Sequence, residues 1–254
     1  MKDKYAIILG GSSGLGLATA HKLSTSGYNI CIVHRDRKNN LAFLSSEVEK
    51  MKSRGVNVFS LNKDALSPTT ITEVCSKLPI KSVAVLVHSI AKGSLKPIYS
   101  KEDKTLTKQD FDLTIHAMGT SWLEWSQALI KNNLFTSNPR NIAFTSEGNT
   151  KVWEGYGAVS AAKVTLESLM RFMAVEYAPL GMTSNCIQAG MTQTPSFSMI
   201  PNSEKLVAFG KKRNPFKRLT TPEDVANAVY LLTRPEANWI NGTILKVDGG
   251  ESLR

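Results

Sequence analysis

The chain has 254 residues and a formal net charge of +10 at pH 7, and 42% of its residues are hydrophobic. That composition is typical of globular proteins and excludes disordered and fibrous classes, and no run approaches the roughly 18 consecutive apolar residues of a membrane span. The basic residues are spread among predicted helices without a nucleic-acid-binding motif, so we expect a solvated basic surface or an acidic partner, and no nucleic acid.

Seven short runs of apolar, largely β-branched residues recur along the chain, and most are separated by amphipathic segments of helical length. The runs are apolar almost throughout, which is typical of parallel strands covered by helices on both faces. We therefore predict an α/β fold, a doubly wound seven-stranded parallel sheet, in one domain over 1–254. The predicted strands span 6–9, 30–33, 56–60, 83–87, 141–145, 183–187 and 243–247.

Two stretches, 89–107 and 191–218, fit neither a helical nor a strand period. The second is predicted to be a mobile helical loop beside the substrate. Its apolar side chains are mixed with polar ones, which suits a flexible wall around an acyl chain and is equally compatible with core packing. These apolar residues are Phe197, Met199, Ile200, Leu206 and Phe209.

A glycine-rich turn over 10–16 directly follows the first predicted strand and opens a predicted helix over 17–26. Glycines allow a sharp turn and the close approach of a pyrophosphate, which free N–H groups and the positive end of the helix then hold. The position of this turn predicts a dinucleotide site. The residues expected to contact the dinucleotide are Gly10, Ser12, Ser13, Gly14, Leu15 and Gly16.

A charged cluster, His34-Arg35-Asp36-Arg37-Lys38, ends the second predicted strand. Cations at this point pair with the 2′-phosphate of NADPH, whereas a carboxylate accepts hydrogen bonds from the ribose hydroxyls of NADH. Three cations against one acid favour NADPH, with Arg35 as the first contact and Arg37 and Lys38 as neighbours. A one-residue shift in register would place Asp36 at the ribose, and a solvated charge run opening the next helix is a further alternative.

Tyr156 and Lys163 are separated by six residues at the start of an amphipathic segment over 158–177. If both residues are helical, seven steps of 100° bring them to nearly the same face, about 10 Å apart along the axis. Both side chains can then face one substrate.

Together these segments resemble the short-chain dehydrogenase/reductase superfamily along nearly the whole chain, with Asp64, Gly190 and the terminal Val247-Asp248-Gly249-Gly250 as further matches. The resemblance implies a Rossmann-type domain and a homotetramer. It implies that Lys163 binds the nicotinamide ribose and lowers the pKa of Tyr156. It also implies a set of cofactor contacts. Two of them, Asp64 and Thr194, could instead cap a helix or a turn. The implied contacts are Asp64, Ala65, Ser89, Ile90, Lys163, Gly190, Thr192 and Thr194.

The spacing of the tyrosine and the lysine separates two branches of that superfamily. Ketone reductases carry three residues between them, and Val159 stands at that tyrosine position here. The six-residue spacing, the segment His88-Ser89-Ile90 and His116 are similar to the enoyl-acyl-carrier-protein reductases. Many enoyl reductases carry a second tyrosine at the position of Ser146. One NADPH-using branch keeps a serine there, and this chain is most similar to that branch. Ser146 is therefore a catalytic candidate or a strand-end serine, and both histidines are alternatively core residues.

The resemblance implies an enoyl-acyl-carrier-protein reductase of fatty-acid synthesis. Hydride would pass from NADPH to the β-carbon of a trans-2-enoyl thioester, while Tyr156 stabilises the enolate oxygen. The substrate would be carried by acyl carrier protein or coenzyme A. The alternatives are an NADPH-dependent carbonyl or 3-ketoacyl thioester reductase and a non-catalytic cofactor-sensing regulator. An acidic carrier protein would dock at Lys211, Lys212, Arg213, Lys217 and Arg218.

The three cysteines, Cys31, Cys75 and Cys186, lie far apart and form no CxxC pattern. This spacing indicates neither a disulfide framework nor a zinc site. The first residues contain no apolar signal core. We therefore expect a cytoplasmic protein without a bound metal.

Overall fold

Seven strands form one sheet in which every adjacent pair is parallel. The computed structural model describes residues 3–102, 104–200 and 203–254. The strands are β1 (Tyr5–Leu9), β2 (Asn29–His34), β3 (Val58–Asn62), β4 (Val83–His88), β5 (Phe135–Thr145), β6 (Thr183–Ala189) and β7 (Ile244–Val247). Their order across the sheet is β3-β2-β1-β4-β5-β6-β7.

Helices cover both faces of this sheet. They are α1 (Gly14–Thr25), α2 (Lys38–Lys52), α3 (Pro68–Lys77), α4 (Lys108–Ile115), α5 (Ser121–Lys131), α6 (Gly157–Glu176), α7 (Ser203–Arg213) and α8 (Pro222–Leu232). A π-helical segment, His116–Thr120, joins α4 to α5. In the part of the chain that the structure describes, none of the helices has the length and apolar character needed to cross a bilayer.

The alternation of side chains along β1 shows why two helical layers are needed. Ala6 and Ile8 are buried in one apolar cluster, and Ile7 and Leu9 are buried in another, because successive strand residues point to opposite faces. The first cluster is completed by residues of α1, α2 and α8, and the second by residues of α3, α5 and α6. The predicted doubly wound fold is confirmed.

The boundaries of some elements differ from those predicted. β3 covers Val58–Asn62, two residues later than expected, and β5 starts at Phe135, six residues before the predicted 141. The early part of β5 is polar, and the β4–β5 register shifts between Val83 and Val85, so apolar periodicity does not mark it. Helix α1 starts at Gly14 rather than at 17, because the N–H of Leu17 already donates to the Ser13 carbonyl at 3.1 Å.

The two irregular stretches follow β4 and β6, whose carboxyl ends lie at the same edge of the parallel sheet. The ranges 89–102 and 104–107 contain no helix or strand, as predicted. The stretch 191–218 contains a 3₁₀ turn, Phe197–Met199, and helix α7. Its helical character agrees with the prediction, and its mobility stays a prediction.

The strand order creates a crevice at the carboxyl edge. β1 lies between β2 and β4, so the strand order reverses here, with β2 and β3 on one side of β1 and β4 to β7 on the other. In such sheets, ligands bind at this point, outside the carboxyl ends of the strands. β1 pairs Leu9 with His88 of β4, and β5 pairs Thr145 with Gln188 of β6. The residues that follow these strands therefore meet around one space.

Candidate active site

A cavity of about 930 Å³ occupies this crevice. It is lined by residues that directly follow the strands and by the first part of the stretch 191–218. Of the residues predicted to form the site, those that line the cavity are Gly10, Ser12, Ser13, Leu15, Arg35, Asp64, Ala65, Ser89, Ile90, Ser146, Tyr156, Gly190, Thr192 and Thr194. Gly14, Gly16, Arg37, Lys38 and Lys163 lie outside its lining.

The glycine-rich turn leaves no room for side chains behind the cavity. A Cβ atom at Gly10 would lie 2.4 Å from the Ser89 carbonyl oxygen, and one at Gly16 would lie 2.3 Å from the Gly10 carbonyl oxygen. Helix α1 begins here with Ser13 at its N-cap, and within the described residues no side chain caps its first N–H groups. Free amides, a positive helix end and a closely packed turn fit the pyrophosphate of a dinucleotide.

The end of β2 presents both signs of charge to the cavity. Arg35 and Asp36 line it, whereas Arg37 and Lys38 are exposed at the start of α2. Arg35 donates to Asp64 at 3.0 Å, and Lys92 lies 3.5 Å from the same carboxylate oxygen. Burial opposes the ionisation of Asp64, but the Leu66 amide, Lys92 and Arg35 together lower its pKa. Asp64 is thus held as an anion between two cations.

Asp36 is fixed by its neighbours rather than directed freely into solvent. His34 lies 2.7 Å from its carboxylate, and its backbone N–H donates to the Asn62 side chain at 2.9 Å. Burial opposes its ionisation, but hydrogen bonds with Ser12, His34 and Asn40 lower its pKa. Asp36 therefore stays a candidate for the acid that would bind the ribose hydroxyls of NADH.

Tyr156 and Ser146 face the cavity together. Their hydroxyl oxygens are 3.2 Å apart, Ser146 directly follows β5, and Tyr156 is the N-cap residue of α6. Burial raises the pKa of the Tyr156 phenol, and the hydrogen bond with Ser146 opposes that rise. The lowering of this pKa by Lys163 that the resemblance implies stays a prediction. At neutral pH the phenol is protonated and can donate a hydrogen bond.

Lys163 lies beneath this pair and points into the sheet. Its ammonium group donates to the Phe144 carbonyl oxygen at 2.7 Å, and the residue is buried. Burial lowers the pKa of Lys163 to about 8, while Cys186 and Glu167 oppose the fall. The structure thus brings a cation close to the carboxyl end of β5, and its contact with a cofactor ribose stays a prediction.

The two histidines of the sequence motif have different surroundings. His88 is buried at the end of β4, and its Nε2 lies 2.9 Å from the Ser121 hydroxyl. Burial lowers its pKa to about 3, with a further contribution from Lys163, so it is neutral at physiological pH. His116 is partly exposed at the start of the π-helical segment, 3.2 Å from Glu124. Neither residue lines the cavity, so His88 fits the alternative of a core residue, whereas the partly exposed His116 is not a core residue.

The loop after β6 closes one side of the crevice. A Cβ atom at Gly190 would lie 2.4 Å from the Thr220 hydroxyl oxygen. The Thr192 hydroxyl donates to the Gly190 carbonyl at 2.9 Å, and the Thr194 hydroxyl accepts from the Phe197 N–H at 3.1 Å. Thr194 therefore caps a turn while it lines the cavity. Among the residues of the predicted acyl wall, Phe197, Met199 and Ile200 line the cavity, and Leu206 and Phe209 do not.

A family model described as enoyl-(acyl carrier protein) reductase matches residues 10–252 of this chain. The chain belongs to this family of short-chain dehydrogenase/reductases. It is an NAD(P)-dependent oxidoreductase. The deciding feature is the extent of the match, which runs from the glycine-rich turn to the residues after β7.

This oxidoreductase is also similar to several individual proteins. An NADPH-dependent aldehyde reductase-like protein of Arabidopsis thaliana is 26% identical over 98% of this chain and 94% of its own length. The 1-cyclohexenylcarbonyl-CoA reductase of Streptomyces collinus is 24% identical over 99% of this chain and 88% of its own. The enoyl-acyl-carrier-protein reductase (NADH) of Aquifex aeolicus VF5 has a TM-score of 0.84 at 23% identity, covering 100% of this chain and 98% of that one. That last likeness shows the fold.

The wall of the cavity contains a buried ionic cluster that the sequence motifs do not indicate. Arg213, at the end of α7, donates to Glu147 and, through its Nε, to the Glu251 carbonyl at 2.7 Å. Glu251 also accepts from the Met191 N–H at 3.2 Å. Both ends of the stretch 191–213 are therefore tied to Glu251. These contacts join residues far apart in sequence, and the local patterns contain no signal for them.

The cluster corrects one part of the predicted docking surface. Arg213 is 8% exposed, so it is a buried ion-pair partner and not a surface residue. Arg218 pairs with Asp224 at 2.6 Å but stays exposed. Lys211, Lys212 and Lys217 are exposed. Four of the five residues predicted to form a basic docking surface are thus exposed, and docking of a carrier protein there stays a prediction.

Proposed function

We propose that this protein is an NADPH-dependent reductase of trans-2-enoyl thioesters. The observation that carries the proposal is the position of the phenol. The cavity wall contains Val159 where a ketone reductase has its tyrosine, whereas Tyr156 lies three residues earlier, with its hydroxyl beside Ser146. A phenol displaced in this way suits the thioester oxygen, which is conjugated with the double bond to be reduced. The carbon that carries this oxygen is two positions from the β-carbon that would receive the hydride.

Tyr156 would act on the thioester oxygen. Its buried, protonated phenol donates a hydrogen bond as negative charge develops on that oxygen, and Ser146 holds the phenol in place. One such donor in a water-poor site contributes about 3 to 4 kcal/mol to transition-state stabilisation. The apolar side chains of Phe197, Met199 and Ile200 would exclude water and hold the acyl chain.

The glycine-rich turn and the carboxyl ends of β2 and β3 would hold the dinucleotide. When bound, its reduced nicotinamide supplies the hydride. The amides at the start of α1 would bind the pyrophosphate. Arg35, Lys63 and Lys92 line the cavity near Asp36 and Asp64, and this excess of cations supports NADPH over NADH. Lys163, protonated at pH 7 with a pKa of about 8, would hold a ribose hydroxyl.

The substrate carrier is proposed to be an acyl carrier protein, with coenzyme A as the alternative. Acyl carrier proteins are acidic, and Lys211, Lys212, Lys217 and Arg218 form an exposed basic surface at the end of the stretch 191–218. Opposite charges on two surfaces guide encounter and raise the association rate, most strongly at low salt.

A carbonyl reductase is the second candidate. The hydrogen bond between Ser146 and Tyr156 favours it, since a serine at this strand end polarises the carbonyl group in ketone reductases. In that reaction Tyr156 would donate its proton to an alkoxide instead of stabilising an enolate.

One set of assays tests these candidates. Oxidation of NADPH or NADH is followed with crotonyl and acetoacetyl thioesters, each on coenzyme A and on acyl carrier protein. We expect turnover of the crotonyl substrates with NADPH. Tyr156→Phe should lower kcat/KM by about 10²- to 10³-fold without weakening dinucleotide binding. Tyr177→Phe, at the far end of the same helix, is the control and should behave as wild type.

Each other outcome has a defined meaning. Turnover of acetoacetyl but not crotonyl substrates would identify a carbonyl reductase. Dinucleotide binding without turnover of either would favour a regulator. Lys211→Glu combined with Lys212→Glu should raise the KM of the carrier-bound substrate at low salt and much less at high salt, and equal effects at both would exclude electrostatic docking.

A further inference from the structure

A buried carboxyl group lies one helical turn after Lys163. Glu167, on α6, is 7% exposed, and one of its oxygens, Oε1, accepts hydrogen bonds from both the Thr145 hydroxyl and the Asn149 side-chain amide. Buried carboxylates are costly unless they are paired or hydrogen-bonded, so a position with two donors on one oxygen is a specific arrangement.

The two donors stand at the ends of a short segment, 145–149, that supports the phenol. Ser146 lies within it, 3.2 Å from the Tyr156 hydroxyl. Gly148 also lies within it, so close to the Tyr156 ring that a Cβ atom there would be 2.3 Å from ring carbon Cε1. Whatever fixes this segment therefore fixes both the hydrogen bond to the phenol and the surface on which its ring rests.

The same carboxyl group also acts on Lys163. Residues four apart on a helix are neighbours on one face, and the charge of Glu167 opposes the fall in the pKa of Lys163 that burial causes. The other groups that interact with this ammonium are Cys186 from β6, the neutral His88 from β4 and the Phe144 carbonyl from β5. Burial raises the pKa of the Cys186 thiol, so the thiol stays neutral, and Glu167 is the carboxylate among these described groups.

We propose that Glu167 is a positioning residue with two effects, holding the 145–149 segment against Tyr156 and keeping the Lys163 ammonium charged. Glu167 is not among the described residues that line the cavity. It acts through Thr145 and Asn149 on one side and through the electric field along α6 on the other. The proposal concerns the site of the proposed function, but one of its two measurements needs no substrate.

Three variants separate the two effects. Thr145→Val removes one donor and leaves the charge. Glu167→Gln keeps an acceptor oxygen and removes the charge. Glu176→Gln removes a charge from the exposed end of the same helix and is the matched control.

The first measurement is kcat with the thioester that the wild-type enzyme turns over. Thr145→Val should lower kcat about tenfold, because the loss of a hydrogen bond to a charged group leaves the segment free to move. The second is the titration of Lys163, followed by NMR in protein carrying ¹³C-labelled lysine and identified by the resonance that Lys163→Met removes. Its midpoint in the wild type is expected near pH 8.

Glu167→Gln should move that midpoint to lower pH, since a neutral neighbour no longer favours the ammonium form, and Thr145→Val should leave it unchanged. The proposal is overturned if Glu167→Gln leaves the midpoint in place, if Glu176→Gln moves it as far, or if Thr145→Val has wild-type kcat. If the wild type reduces no thioester, the proposed function fails, while the NMR comparison still decides the effect of Glu167 on Lys163.

Discussion

The buried ionic cluster of Arg213, Glu147 and Glu251 supports a quantitative prediction about stability. Arg213→Met removes the cation but keeps a side chain of similar length. The Arg213 and Glu251 side chains are 7% and 2% exposed, so water cannot replace the lost partner. Breaking a buried ion pair from one side costs about 3 to 5 kcal/mol. Glu147 keeps Lys151 at 2.8 Å, so we expect the lower value, about 3 kcal/mol.

The size of the effect should depend on pH. Burial raises the pKa of Glu251, opposed by the Met191 amide and by Arg213, so loss of Arg213 raises it further. A carboxyl group with a raised pKa in the folded state destabilises the fold as the pH rises through that pKa, because its charged form is disfavoured there. The variant should therefore lose less stability at about pH 5 than at about pH 8.

The assay is urea and thermal denaturation at both pH values. A loss of about 3 kcal/mol corresponds to a fall in Tm of about 6 to 12 °C for a chain of this size. Arg218→Met is the control, because its ion pair with Asp224 lies at the surface and its side chain is 57% exposed, so it should lower stability much less than Arg213→Met does. Equal losses in the two variants, or a loss that grows at acidic pH, would refute the reasoning.

Two further predictions concern the cavity and the sheet beneath it. Gly16→Ala should abolish dinucleotide binding, measured calorimetrically, because the new Cβ would lie 2.3 Å from the Gly10 carbonyl oxygen. Gly55→Ala is the control and should bind the dinucleotide normally, since no described atom lies within 4 Å of its Cβ. His88, with a pKa of about 3, should show no imidazole titration by NMR between about pH 5 and 8. Because the pKa of His88 is depressed on folding, the protein should lose stability as the pH falls below about 6.5. A His88→Gln variant whose free energy of unfolding falls just as steeply with acid would contradict this.

The fold and the position of the site follow from local patterns in the sequence. Runs such as Ile30 to Val33 are apolar throughout because β2 is buried on both faces, and that property is written into consecutive residues. The glycine-rich turn is equally local, since its position between a strand and a helix defines its use. Ser146 directly follows β5 and Tyr156 is the N-cap residue of α6, ten positions later, so the two side chains line one cavity.

The tertiary structure alone decided the electrostatics around that cavity. Arg213 and Glu147 are 66 positions apart, and Arg213 and Glu251 are 38 apart. No periodicity connects such residues, so the sequence predicts that Arg213, at the end of a basic helix, lies on the surface. The direction of Lys163 toward Phe144 and the raised pKa of Tyr156 likewise depend on burial, which is set by the packing of α6 on the sheet. Sequence determined which side chains surround the crevice, and packing determined which of them carry charge there.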